Sequence, residues 1–164
     1  MRLTASIRAM RRGQQHGRLK PHKPVMLLAL VDCVETGLIT DNKFEFSDSL
    51  VAVFNRLFAA IAERSDWRQA APPFFHLRSD GFWRHEIVPG KEQCYQALKT
   101  SGGGLKRIRD NIAYGAFEPW AWRVVCDAEG RATLTRFILD SFFEPDEAYR
   151  LRLVLKPNAP TAGL

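Results

Sequence analysis

Two short segments of the 164-residue chain carry residue types at a spacing suited to ligand chemistry. The first is Lys20-Pro21-His22-Lys23-Pro24, leading straight into Val25-Met26-Leu27-Leu28-Ala29-Leu30. Two prolines bracket a His-Lys pair where an apolar helix should begin. A helix N-terminus offers free backbone N–H groups and the positive end of the dipole. His22 and Lys23 add two donor or cationic groups at the same point, so a phosphate-like group is a natural ligand. An equally weighted reading is that the prolines merely stop and start elements and His22 is an ordinary surface residue. The second segment is Pro72-Pro73-Phe74-Phe75-His76-Leu77-Arg78-Ser79-Asp80-Gly81-Phe82-Trp83. Consecutive prolines present rigid apolar ring faces. For Phe74, Leu77, Phe82 and Trp83 packing in a core is the simpler reading.

The charge distribution narrows the class of partner. Residues 1–24 hold seven basic residues (Arg2, Arg8, Arg11, Arg12, Arg18, Lys20, Lys23) and no acid, whereas the chain as a whole has 24 basic and 18 acidic residues, net +6. All the excess positive charge thus lies in one N-terminal block, which points to a polyanion. A solvated basic arm or a targeting segment has the same composition. The longest apolar run, Val25–Val31, is too short to cross a bilayer. The N-terminus has no apolar stretch or small-residue cleavage site of a signal peptide. Cys33, Cys94 and Cys126 form no Cys-x-x-Cys pair. We therefore expect buried, inert thiols and a reduced, cytoplasmic setting.

Common catalytic constellations are missing. His85-Glu86 lacks the second His of a zincin. Thr100–Lys106 has glycines and a lysine but not the spacing of a phosphate-binding loop, and no Gly-x-Ser-x-Gly elbow occurs. The four histidines are scattered, with no His-rich ββα finger of the HNH nuclease type. This composition reads as a binder, with no cofactor and no metal implied; a site assembled from His22, His76 and His85 is the enzymatic alternative.

The elements that must position these residues follow from hydropathy spacing. Leu3, Ile7 and Met10 suggest a basic amphipathic helix over 2–15, followed by a polar loop from Gly13 to Pro21. Pro24 opens a strongly apolar helix, Val25–Thr36, stopped by Gly37. Lys43–Phe46 alternates as a short strand. Ser47 or Asp48 caps a helix whose apolar face is Leu50, Val53, Phe54, Leu57, Phe58 and Ile61. Pro72-Pro73 reads as extended or polyproline chain. Phe74–Arg78 and Phe82–Ile87 flank Ser79-Asp80-Gly81 as a hairpin. Further helices are expected over Glu92–Leu98, Leu105–Tyr114, Phe117–Cys126 and Ala128–Phe143, the last capped by Asp127. Ser101–Gly104 reads as a flexible loop. The fold class is mostly α with a small antiparallel hairpin or sheet (α+β), a single compact winged-helix-like domain. Its expected parts are a basic helix or arm over 1–20, a folded domain over 21–155 and a linker-like tail over 156–164.

Pro-His-Lys-Pro before an apolar helix, then Pro-Phe-Phe-His-Leu-x-x-Asp-Gly-Phe-Trp, then a helical part ending Phe-Ile-Leu-Asp-Ser-Phe-Phe, resembles the sulfur-binding domain of phosphorothioate-dependent type IV restriction endonucleases (McrA-type HNH enzymes), over about residues 3–145. The resemblance implies that the folded domain over 21–155 is a sulfur-binding-type DNA-binding domain, which binds double-stranded DNA in which sulfur replaces one non-bridging phosphate oxygen. It also implies a fused or recruited HNH nuclease as partner, and no membrane. It maps the sulfur pocket onto His22 and Lys23 before the long helix, onto Pro72 and Pro73, and onto His76. This chain departs from the family at Pro72, where an aromatic is usual. An apolar recess accepts soft, weakly hydrogen-bonding sulfur, whereas it strips water from a phosphate oxygen without replacing its hydrogen bonds. Arg11, Arg12, Arg18, Lys20, Lys106, Arg107 and Arg109 are candidate phosphate contacts. The Lys99–Gly104 loop, with Lys99, Ser101 and Gly102, is the candidate for reading base edges. A generic sequence-specific DNA-binding protein is the alternative.

Overall fold

The structure is a computed structural model that describes residues 1–15, 18–61, 69–98 and 104–155. Its centre is the helix α2 (His22–Glu35), which follows α1 (Arg2–Arg8) and a small antiparallel pair, β1 (Gln14–Gln15) and β2 (Arg18–Leu19). Every residue of α2 from Pro24 to Cys33 is buried, as expected of a helix apolar on all sides. The next helix, α3 (Asp48–Ile61), packs on α2. Its buried residues are the six predicted from spacing, and the Ser47 hydroxyl accepts the Leu50 N–H at 3.1 Å as the cap.

The segment after Ala70 departs from expectation. Pro72 and Pro73 do not extend the chain; they lie in the first turn of a short helix, α4 (Ala71–His76). First-turn N–H groups have no intrahelical acceptor, so prolines lose nothing there and their fixed φ suits the turn. A 3₁₀ turn, Leu77–Asp80, follows and ends at Gly81 with φ +88°, a left-handed conformation that favours glycine. No hairpin therefore spans Ser79–Gly81. Instead β3 (Trp83–Ile87) pairs antiparallel with a distant strand, β4 (Ile112–Phe117), in the register Trp83↔Phe117 and His85↔Gly115.

Between them lie α5 (Glu92–Gln96) and α6 (Gly104–Asn111), and α6 runs directly into β4. The helices expected over Leu105–Tyr114 and from Phe117 onward give way here to a strand over Ile112–Phe117. A Cβ on Gly115 would fall well inside contact distance of the Trp83 indole, so the ring lies across backbone that only glycine leaves open. On its other side Gly115 exchanges two backbone hydrogen bonds with Phe44, at 2.8 and 2.9 Å. The strand expected over Lys43–Phe46 is reduced to that one bridge.

Helices α7 (Pro119–Val125) and α8 (Ala128–Phe142) are separated by Asp127, whose carboxylate accepts the Gly130 N–H at 2.9 Å. A last helix, α9 (Pro145–Val154), packs on α3. Hydropathy spacing predicts no element there, although Glu144-Pro145-Asp146-Glu147 carries a start signal. Pro145 is at the first helical position, and the Glu147 side chain accepts the Glu144 N–H at 3.0 Å. The chain is mostly helical, with short antiparallel strand pairs around one core. Among the described residues no helix is long and apolar enough to cross a membrane.

The first helix ends at Arg8 rather than running to residue 15, because residues 14–15 pair with 18–19. Leu3, Ile7 and Met10 are buried in the common core. Cys33 is buried as expected, and burial pushes its thiol up to about 12. Cys94 and Cys126 are exposed, contrary to the expectation of inert buried thiols. The tail beyond Leu155 lies outside the described residues.

Candidate nucleic-acid interface

The two motif segments meet in space. Helix α2 begins at His22 with Pro21 as its N-cap residue, so His22 and Lys23 belong to the first turn rather than to the loop before it. Helix α4 packs against both α2 and α6. The link is a specific one: Lys23 Nζ donates to Asp80 Oδ2 at 2.6 Å, and both side chains are nearly buried, 11% and 3% exposed. The other oxygen of Asp80 accepts the Arg11 backbone N–H at 3.0 Å. One carboxylate thus ties the basic N-terminal segment, the start of α2 and the end of the 3₁₀ turn together. By local sequence Asp80 is a turn residue. Its partners lie 57 and 69 positions away, a separation that no local pattern encodes.

The pocket candidates are not equally accessible. His22 is half-buried and its ring lies 4.8 Å from that of Phe58 on α3. Pro73 is buried within α4, while Pro72 and His76 are half-buried. The His76 ring is edge-on to Phe75 at 5.3 Å, and its carbonyl accepts the Ser79 hydroxyl at 2.9 Å. Two proline faces side by side were expected; Pro72 alone retains exposure.

A hydrogen-bonded chain braces α4 from beneath. Arg78 donates to the Tyr95 hydroxyl at 3.0 Å, and that hydroxyl lies 2.9 Å from His85 Nδ1. His85 Nε2 lies 3.1 Å from the Phe74 carbonyl. The Trp83 indole N–H donates to the same His85 Nε2 at 3.2 Å, so an acceptor carbonyl and a donor indole share that ring nitrogen. Burial pushes the His85 pKa down to about 4, against the Phe74 carbonyl, which favours protonation. His85 is therefore a neutral structural histidine at pH 7. Trp83 Nε1–H also reaches the Phe74 carbonyl, at 3.3 Å.

The basic residues divide by what they already hold. Arg2 lies over Trp120 at 3.9 Å, Arg8 over Phe137 at 5.0 Å and Arg12 over Phe142 at 4.9 Å. These arginines stack on α7 and α8 through cation–π contacts. Arg12 also donates to the Lys20 carbonyl at 3.2 Å, and its burial lowers its pKa from the usual value. Arg109 donates to the Phe46 carbonyl and to Asp48, both at 2.7 Å, fastening α6 to the start of α3. Arg11, Lys20, Lys106 and Arg107 are exposed. The backbone of Arg18 lies in β2. Lys99, Ser101 and Gly102 lie outside the described residues. Among the described residues no three His, Cys, Asp or Glu side chains converge on a metal-sized space.

A family model for the ScoMcrA-like DNA sulfur-binding domain matches residues 1–153. The chain belongs to that family. The match covers α1 through nearly all of α9, so the fold just described is the domain itself. A DNA-binding module that recognises phosphorothioate DNA is what membership carries, and the restriction context comes with it. No curated protein matches the chain.

Proposed function

We propose that the domain reads duplex DNA through one sulfur-bearing backbone position seated where α2 and α4 meet. His22, Lys23, Pro72, Pro73 and His76 form the pocket. In this reading Pro72 presents its ring to sulfur and Pro73 backs it from the core. Lys23 contributes its methylene stem, because its head group is already held by Asp80. The observation that carries the reading is the meeting of segments 21–24 and 71–80, sealed by the Lys23–Asp80 pair.

The energetics follow from the acceptor. Seating a phosphate oxygen in an apolar notch leaves it without a partner, at about 1–3 kcal/mol, whereas sulfur loses little. That difference gives roughly 5- to 150-fold preference. Arg11, Lys20, Lys106 and Arg107 supply affinity through counterion release, which carries no selectivity. Arg12 and Arg109 act mainly on the fold, through their internal partners. The domain serves as the cytoplasmic targeting module of a modification-dependent restriction system, with the nuclease fused or recruited. Competition binding of a duplex with one phosphorothioate of defined stereochemistry against the same unmodified duplex tests this. A preference of fivefold or more is expected. Equal affinity, with dependence on base sequence alone, overturns the reading in favour of a generic DNA-binding protein.

A further inference from the structure

We infer that Asp80 is a specificity-determining residue, which acts by cancelling the charge of Lys23 and so denies ordinary phosphate a strong donor at the pocket. The inference rests on the pocket reading above. Its starting point is that a nearly buried carboxylate is committed to the one lysine of the Pro-His-Lys-Pro turn, although the partners are far apart in sequence. Arg11 N–H holds the other oxygen, so Asp80 is fixed from two sides and Lys23 Nζ with it.

The consequence for recognition is chemical. An ammonium free to approach the DNA would donate a strong hydrogen bond to a phosphate oxygen and a weak one to sulfur. It would thus repair the lost hydrogen bond that makes the notch discriminate. With Nζ turned to Asp80 the charge of Lys23 is compensated, and its ammonium offers the phosphate no such repair. Removal of the carboxylate releases one cation toward the backbone.

The test uses Asp80→Asn, and Lys23→Met with Asp80→Asn, in the full chain. Affinities for unmodified and singly phosphorothioated duplexes are measured between 50 and 300 mM salt, with thermal melting to establish folding. Asp80→Asn should steepen the slope of log K against log salt on the unmodified duplex by about 0.9, one added phosphate contact, and tighten that duplex about five- to tenfold near 0.1 M. The phosphorothioate duplex should gain less, so the ratio falls. The double variant lacks the released cation, so its slope on the unmodified duplex should be flatter than that of Asp80→Asn by about 0.9. A folded Asp80→Asn protein with the parent slope overturns the inference. So does a double variant whose slope equals that of Asp80→Asn, because the added contact would then not come from Lys23. If Asp80→Asn does not fold, Asp80→Ser is measured in its place with the same expectation. These readings are separate from the pocket itself, which fails if the parent chain shows no sulfur preference.

Discussion

Acid should loosen α4 through His85. The folded ring titrates at about 4, against 6.5 for an unperturbed histidine, because it is buried beneath Phe74 and Tyr95. The folded value lies below the unfolded one, so between those pH values the unfolded chain binds a proton that the native chain refuses. Stability is then lost as pH falls below 6.5, and the loss levels off near 4, where the native ring is protonated as well. At about 1.4 kcal/mol per pH unit the gap corresponds to about 3 kcal/mol at most, and to about 2 kcal/mol at pH 5. For a domain of this size about 2–4 °C accompanies each kcal/mol, so pH 5 should lower the melting temperature by roughly 4–8 °C through this ring alone. Thermal or urea unfolding of the parent and His85→Gln, at several pH values from 7.5 to 4.5, isolates the contribution from that of the carboxylates. The variant should be less stable at pH 7.5, and its curve against pH should be flatter than the parent's between 6.5 and 4.5. Parallel curves would refute the reasoning, since the difference cancels everything except the ring.

Three further outcomes are expected. Pro72→Asp puts a hydrated charge where the half-buried proline ring stands, and should bring the sulfur preference down to near unity while leaving melting within a few degrees; an unchanged ratio in competition binding would misplace the pocket. Lys106→Gln with Arg107→Gln removes two exposed cations from α6 and should flatten the salt slope by up to about 1.8 with the sulfur ratio preserved. Gly115→Ala drives a methyl into the buried Trp83 ring and should destabilise the fold by about 1–3 kcal/mol, read as a lower urea midpoint.

What the sequence disclosed depended on whether the deciding interaction was local. The α3 face, the α2 core helix and the Asp127 cap were all found from spacing within one element. The β3–β4 pairing is not legible in the sequence because Trp83 needs a glycine more than thirty residues on, and no local pattern links the two. Pro72-Pro73 was misread because a proline pair is compatible with a first turn as well as with extended chain, and the buried Phe74 and Phe75 decide between them. In the candidate site, His22 and Lys23 stood out by their proline brackets. Asp80 and the Arg78–Tyr95–His85 brace did not, since their roles exist only once α2, α4 and β3 are assembled.

The docking of the first dozen residues bears on how the protein should be shortened. Trimming the N-terminus to remove a supposed flexible polycation would take out Leu3, Ile7 and Met10 along with the rings' arginine covers. A shortened protein that no longer binds DNA would then report a breached interior, and the electrostatic bookkeeping inferred from it would be wrong.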